Sequence, residues 1–136
     1  MFEDKETCCF MQLVKRFIDD EMLYLLPVKE HQKTQLSKIL LGYYDDEYVY
    51  IIPEVLITYS NLLLRQHYLK NFNMRKILQN LFALNLIKVH WVLTCEVRYR
   101  PEKRDGNTRK RYITFIRKEV KNKFKEDLIS WTELNL

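Results

Sequence analysis

The chain has 136 residues, of which 47% are hydrophobic and 30% are charged. This balance is typical of a globular domain and argues against disorder. With 23 Lys and Arg against 18 Asp and Glu, the net charge is +5 at pH 7. No apolar run approaches the roughly 18 residues that a membrane-spanning helix needs, and the acidic start, Met1–Asp4, is unlike a secretory signal. Three cysteines without a CxxC pair suit a reducing compartment, so we expect a cytoplasmic protein of one domain that has no membrane partner.

The first third of the sequence predicts a helix followed by short strands. Apolar residues recur at helical spacing over 4–20, which predicts an amphipathic N-terminal helix whose apolar face could form a homodimer interface. The run 21–27 reads as an acid, five apolar or aromatic residues and a proline, and the same order returns at 47–53. We expect both runs to be strands that pair with each other, unless the repeat is a coincidence in a chain rich in Leu and Tyr. Residues 29–41 predict a loop with a short helix.

The middle of the chain predicts a strand and two helices. The run 48–52 suits a strand, and Pro53 followed by Glu54 suits the first turn of a helix that ends near Gln66. After a connector, Asn73 is a suitable N-cap for a second helix, which we expect to close at 85–87. The buried stripe of this second helix would be Met74, Ile77, Leu78, Leu81 and Leu84.

The last part of the chain predicts a long hairpin and a helical tail. Residues 88–99 and 112–116 alternate apolar with other residues, as strands do. They flank Asp105-Gly106, and we expect one hairpin with a loop of about 8–10 residues, longer than a tight turn. Residues 118–131 fit a basic amphipathic helix.

The tip of this hairpin carries the net charge of the whole chain. Between Arg98 and Arg111, seven Lys and Arg residues are opposed only by Glu102 and Asp105, so these fourteen residues carry +5. The other 122 residues balance at 16 against 16. A concentrated basic segment suits a polyanion, because contacts with phosphates release condensed counterions.

The order strand, helix, connector, helix and long hairpin is that of a winged helix-turn-helix. We therefore predict an α+β fold, namely a winged helix-turn-helix with an N-terminal helix and a long basic β-hairpin wing. The single domain would comprise an N-terminal helix with a short strand and loop (1–46), the winged-helix core (47–117) and a C-terminal helical tail (118–136).

This arrangement predicts which residues contact nucleic acid. The second helix of such a motif lies in the major groove, and the wing contacts the backbone or minor groove. On the second helix, two cations can hold phosphates and two amides can pair with base edges: Arg75, Lys76, Gln79 and Asn80. The alternative is that this face is simply solvated. In the wing we expect phosphate contacts and one base-stacking tyrosine, from Arg98, Tyr99, Arg100, Lys103, Arg104, Arg109, Lys110 and Arg111.

Three stretches of the sequence also suggest a family. The run Leu41-Gly42-Tyr43-Tyr44-Asp45-Asp46-Glu47-Tyr48-Val49-Tyr50-Ile51-Ile52-Pro53-Glu54, the helical pair after it and the wing end 107–113 resemble a known winged-helix domain. That domain is attached to the C-terminus of replicative helicases and primase-helicases of bacterial mobile elements. The resemblance covers residues 12–117 and implies DNA engagement or partner docking in replication or regulation of a mobile genetic element, of phage, plasmid or genomic-island type. Because the chain begins with its own methionine and lacks a phosphate-binding loop, we expect a stand-alone domain without ATPase activity.

Sequence motifs for catalysis and cofactor binding are absent. There is no phosphate-binding loop, dinucleotide-binding glycine motif, HExxH or zinc-spaced Cys/His cluster, so we expect neither an enzyme nor a cofactor or metal. A metal-dependent nuclease using Asp45, Asp46 and Glu47 is one alternative, although adjacent acids before a strand usually form an exposed turn. The main alternative is a protein-interaction adaptor, whose wing would grip an acidic surface on a helicase, primase, polymerase or host factor. The preference for single- or double-stranded DNA stays open.

Overall fold

The computed structural model describes residues 4–20, 22–28, 38–92, 96–100, 102–105 and 108–129; for 91–92, 96–98, 102–105 and 108–109 only the backbone is described. Within these ranges the fold is α+β, as predicted, with four helices. The elements are α1 (Lys5–Ile18), β1 (Leu23–Pro27), β2 (Ile39–Tyr44), β3 (Tyr48–Ile51), α2 (Pro53–Gln66), α3 (Met74–Ala83), β4 (Ile87–Lys88), β5 (His90–Val92), β6 (Glu96–Arg98), β7 (Glu102–Asp105), β8 (Thr108–Arg111), β9 (Ile113–Ile116) and α4 (Arg117–Phe124). None of the described helices is long and apolar enough to cross a membrane.

Five of the strands form one mixed sheet in the order β1-β2-β3-β9-β4. Strands β1 and β2 are parallel, and the other neighbours are antiparallel. The prediction that the two similar runs pair with each other is wrong, because β2 lies between β1 and β3 and pairs with both. The residues of β2 were predicted to be the end of a loop with a short helix. Residues 29–37 of that loop lie outside the described part of the chain.

Gly42 allows β2 and β3 to approach closely. A Cβ atom added at Gly42 would overlap the backbone carbonyl oxygen of Tyr50. The register between β1 and β2 also shifts beside this position, between Tyr24 and Leu25, as in a β-bulge. Any side chain at 42 would therefore push the central strands apart.

One face of the sheet and the four helices enclose the main hydrophobic core. The apolar stripe of α1 lies inside this core, with Phe10 and Val14 fully buried. This apolar face, which we predicted as a possible homodimer interface, is buried within the chain. The other fully buried side chains of this core include Val49, Ile51, Leu56, Ile77, Leu81, Ile113 and Phe115.

The opposite face of the sheet carries a cluster rich in tyrosine. Successive residues of a strand lie on opposite faces, so Val49 and Ile51 belong to the main core while Tyr50 belongs to this second cluster. Its rings meet edge to face, with centroids 6.1 Å apart for Tyr43 and Tyr112 and 6.2 Å apart for Tyr50 and Tyr112. Burial, and the hydrogen bond to Asp45, raise the pKa of the Tyr50 phenol.

Most helix boundaries match the residues that predicted them. Pro53 begins α2, and Asn73 caps α3, its side chain accepting from the Lys76 N–H at 3.3 Å. Helix α3 ends at Ala83, earlier than predicted, because Asn85 adopts a left-handed conformation with φ 60°. Likewise α4 ends at Phe124, seven residues short of the prediction, and the next residue, Lys125, has φ 61°. Residues 130 and 131 of the predicted tail helix lie outside the described ranges.

The wing differs from the single long hairpin that was predicted. Strand β4 pairs with β9 for only two residues, Ile87 with Phe115 and Lys88 with Thr114. Two separate two-stranded sheets lie between them in the chain, β5 with β6 and β7 with β8. Because Asp105 pairs with Thr108, the Asp-Gly connection has the length of a tight turn rather than of a long loop. The basic segment is thus mostly strand.

Arg117, whose side chain is 11% exposed, joins α4 to two distant parts of the chain. The Arg117 guanidinium donates to the Asp127 carboxylate, from Nε at 3.3 Å and from Nη2 at 2.9 Å, and Nη1 donates to the Asp45 carbonyl at 2.6 Å. The Lys15 ammonium of α1 donates to the carbonyls of Asp127 and Leu128. Burial opposes ionisation of Asp127, but the Arg117 guanidinium outweighs it and lowers the pKa of this carboxyl.

We predict that Asp127→Asn lowers the free energy of unfolding at pH 7 by about 1–2 kcal/mol, because it removes charge-assisted hydrogen bonds from Arg117. The folded pKa is depressed, so this stabilisation is complete above the ordinary carboxyl pKa of about 3.9 and is lost as the pH falls through the lowered value. Urea unfolding between pH 7 and pH 2 measures both effects. Asp46→Asn, at an exposed carboxylate of the β2–β3 turn, is the control; equal pH profiles for Asp127→Asn and the parent would contradict the assignment.

Candidate nucleic-acid interface

Helix α3 exposes part of the polar face that the sequence predicted. Ile77, Leu78 and Leu81 are buried in the main core, whereas Arg75, Lys76 and Gln79 are exposed. The exposed residues are spaced by one and three positions, so they share one side of the helix. Two cations and an amide thus lie together at the N-terminal half of α3.

Asn80 is not part of this exposed group. Its side chain is half-buried against α1, where Nδ2 donates to Thr7 Oγ1 at 3.1 Å and to Asp4 Oδ2 at 3.3 Å. Lys76 also contacts this junction, with Nζ 3.7 Å from Asp4 Oδ1. Four residues of this helix were predicted to contact DNA. Of these, Asn80 joins α3 to α1 through its hydrogen bonds, and Lys76 forms an ion pair with the Asp4 carboxylate. Arg75 and Gln79 are exposed.

The junction between α1 and α3 fixes how α3 is presented. Thr7 is fully buried, and its hydroxyl donates to Asp4 Oδ2 at 2.6 Å while it accepts from Asn80. The hydrogen bonds that the Thr7 hydroxyl and the Thr7 N–H donate to Asp4, followed by the charge of Lys76, lower the pKa of the Asp4 carboxyl. At the other side of the junction, the Asn73 N–H at the start of α3 donates to Glu6 at 3.2 Å. The first turn of α3 is therefore held by polar contacts as well as by its apolar stripe.

Tyr99 anchors the wing to α3. Its ring lies edge-on to Phe82 of α3, with centroids 6.0 Å apart, and is half-buried against the main core. We predicted that Tyr99 stacks on bases; in the structure its ring is half-buried and contacts Phe82. Arg100, next to it, is half-buried, and Lys110 and Arg111 are exposed. The side chains of Arg98, Lys103, Arg104 and Arg109 lie outside the described part of the structure.

The register of the β7–β8 hairpin pairs like charges. Lys103 is the backbone partner of Lys110, and Arg104 is the partner of Arg109. Directly opposed like charges destabilise an antiparallel pair. The other two pairs of this register are Glu102 with Arg111 and Asp105 with Thr108.

A second charge feature escaped the sequence analysis. No Asp or Glu occurs between Glu54 and Glu96, although this stretch includes five cations, Arg65, Lys70, Arg75, Lys76 and Lys88. The stretch covers nearly all of α2, all of α3 and strands β4 and β5. The net charge of the chain does not show this feature, because acids elsewhere balance the five cations. The feature is visible only as a stretch of sequence without carboxylates. The basic surface therefore extends beyond the wing.

The acidic turn 45–47 has a structural explanation. Asp45 Oδ1 accepts from the N–H groups of Glu47 at 2.9 Å and Tyr48 at 2.7 Å, and Oδ2 accepts from the Tyr50 hydroxyl at 3.0 Å. Asp46 and Glu47 are exposed. Within the described residues, no group of three or more His, Cys, Asp or Glu is arranged to hold a metal ion. The Asp45 carboxylate therefore closes the turn through these three hydrogen bonds.

In three comparisons with known proteins, no family model, no curated protein and no solved structure matches this chain.

We predict that Thr7→Val lowers the free energy of unfolding by about 1–3 kcal/mol, because the isosteric change leaves the Asp4 and Asn80 side chains without their buried partner. Chemical denaturation measures the change. Thr58→Val is the matched control, since Thr58 is exposed on α2, and a change within about 0.5 kcal/mol is expected there. Equal effects of the two substitutions would show that the Thr7 hydroxyl at the α1–α3 junction contributes nothing to the free energy of unfolding.

Proposed function

We propose that this chain is a non-enzymatic DNA-binding protein of the winged helix-turn-helix type. The observation that supports this proposal most strongly is the distribution of charge along the chain. Residues 55–111 contain twelve Lys and Arg against three Asp and Glu, a net charge of +9, whereas the other residues contain eleven against fifteen, a net charge of −4. A domain divided in this way presents one basic surface to a polyanion and keeps its acids elsewhere.

The topology supports the winged-helix part of the proposal. The chain runs β3, α2, α3, β4, the two short hairpins and then β9, and β9 returns between β3 and β4 in the sheet. This is the element order that a winged helix-turn-helix requires, with α3 in the position of the recognition helix. The hairpins β5–β6 and β7–β8 then take the place of the wing.

The proposed roles follow from exposure and residue chemistry. Arg75 and Gln79 face the major groove, where Gln suits adenine and Arg suits guanine. Lys110 and Arg111, with the other cations of 98–111, hold backbone phosphates. Tyr99 and Phe82 keep the wing beside α3, so that both contact the same DNA segment.

A role in replication or regulation of a bacterial mobile genetic element is part of the proposal. It rests on the resemblance of residues 12–117 to the winged-helix domains of mobile-element helicases. Charge and topology support the binding of DNA, and they are neutral about the process in which DNA is bound.

We predict that DNA affinity falls steeply with salt and that the wing contributes much of this dependence. If six phosphates are contacted, log K falls with log salt at a slope of about −5 on duplex DNA. Combining Arg109→Ala, Lys110→Ala and Arg111→Ala removes three of these contacts, so the slope becomes shallower by about 3. Fluorescence anisotropy with a labelled duplex and a labelled single strand, over a salt series, measures both quantities.

A charge-matched triple variant controls for the change in net charge. Arg16→Ala, Lys118→Ala and Lys121→Ala remove three exposed cations from α1 and α4, and the parent slope is expected to persist. If the wing variant binds as the parent does, the wing is not the contact. A parent that binds neither form of DNA, yet holds a protein partner after nuclease treatment, would replace this proposal with the adaptor function.

A further inference from the structure

The connector between α2 and α3 exposes an aromatic side chain that no internal contact requires. Tyr68 has 98% of its surface exposed, the highest value among the exposed large hydrophobic residues of the described chain. The next residue, Leu69, is 56% exposed. Contiguous exposed apolar side chains occur at binding surfaces. Tyr68 and Leu69 are such a neighbouring pair.

Tyr68 also adopts a backbone conformation that tyrosine disfavours. Its φ is 58°, in the left-handed region where bulky residues are outliers. This conformation is imposed by the end of α2, where the Tyr68 N–H donates to the Arg65 carbonyl at 3.0 Å and the Leu69 N–H donates to the Leu64 carbonyl at 2.8 Å. Glycine or asparagine is usual at this position of a helix end.

The chain itself provides the comparison at the end of α3. There Asn85, with φ 60°, occupies the same position, and its N–H donates to the Phe82 carbonyl at 2.9 Å. Lys125 also adopts a left-handed conformation, with φ 61°, at the end of α4. Of these three helix ends only that of α2 carries an aromatic ring, and a backbone outlier at an exposed aromatic residue is a starting point for a functional hypothesis.

The connector is fixed at both of its ends. At the start, the two backbone hydrogen bonds of Tyr68 and Leu69 hold it to α2. At the end, the Phe72 ring lies edge-on to Phe10 of the core, with centroids 5.7 Å apart, and Asn73 donates to Glu6. Tyr68 is therefore presented from a rigid segment, which lowers the entropy lost when its ring is covered.

The charged residues that flank Tyr68 in sequence indicate which kind of ligand it would bind. Arg65 and Lys70 flank it in sequence and are exposed, and Arg75 lies in the first turn of α3, which follows directly. All of these residues belong to the stretch that contains no Asp or Glu. An aromatic ring among cations suits a nucleobase with its phosphates, since the ring stacks on the base while the cations hold the backbone.

We propose that Tyr68 is a base-stacking residue and that the DNA bound by this surface carries an unpaired base at the α2–α3 connector. This inference rests on the proposed DNA-binding function and adds the form of DNA to it. A fully paired duplex keeps its bases stacked on one another, so it offers the ring of Tyr68 no partner. The surface would therefore take single-stranded DNA, or duplex DNA with an unpaired segment.

Binding to two DNA probes tests the proposal. The probes are a labelled single-stranded oligothymidine and a labelled blunt-ended duplex in which every base is paired. Tyr68→Ala is expected to weaken binding of the single strand about tenfold, the usual loss of one stacked base, and to leave binding of the duplex within about twofold. Tyr68→Phe keeps the ring and is expected to bind as the parent does. Leu69→Ala, at the adjacent exposed apolar residue, is the matched control and should bind normally.

The variant Tyr68→Asn separates stacking from damage to the fold. Because Asn adopts the left-handed conformation readily, this change is expected to raise the thermal midpoint while it weakens single-strand binding as Tyr68→Ala does. Normal single-strand binding by Tyr68→Ala, or an equal loss on the fully paired duplex, would overturn the stacking role but leave DNA binding intact. A parent that binds neither probe would overturn the proposed function as well, so the two failures are distinct.

Discussion

Strand β9 lies between β3 and β4, and the rest of the molecule depends on this pairing. Its residues pair with Tyr48–Ile51 on one side and with Ile87 and Lys88 on the other, although the partners are far apart in the chain. Ile113 and Phe115 of β9 are fully buried, so the hydrophobic effect enforces the register. Once β9 is in place, the Arg111 end of the basic segment is held next to the sheet, and near its other end Tyr99 contacts Phe82 of α3. The site is thus produced by long-range strand pairing rather than by any local motif.

Much of the fold follows from local signals in the sequence. Asp4 and Asn73 cap α1 and α3 through their side chains, Pro53 opens α2, and apolar spacing gives the buried stripes. These signals act over a few residues, so the sequence alone is sufficient to detect them. Strand partners are different, because pairing depends on the tertiary fold. The two similar runs suggested pairing with each other, yet β2 separates them and pairs with both, and Gly42 of β2 lies directly against the backbone of Tyr50.

The candidate site was predictable in composition but not in detail. Charge counts located the wing, and helical spacing located Arg75 and Gln79. The contacts of two other predicted residues depend on side chains from elsewhere in the fold. Asn80 donates to Thr7, and the Tyr99 ring contacts Phe82. Neither contact can be read from spacing, because each partner lies on another element. The left-handed backbone of Tyr68 was likewise invisible, since nothing in the sequence marks a helix end that lacks glycine.

The central claim is that one surface, formed by α3 and the wing, meets DNA. Mapping amide chemical shifts of the isotopically labelled chain during titration with DNA tests it most directly. The account predicts that the largest changes occur at Arg75, Gln79 and Lys110, while the buried tyrosine face around Tyr43 and Tyr50 stays unchanged. Changes confined to α1, α4 and the sheet face, with α3 and the wing unaffected, would contradict it.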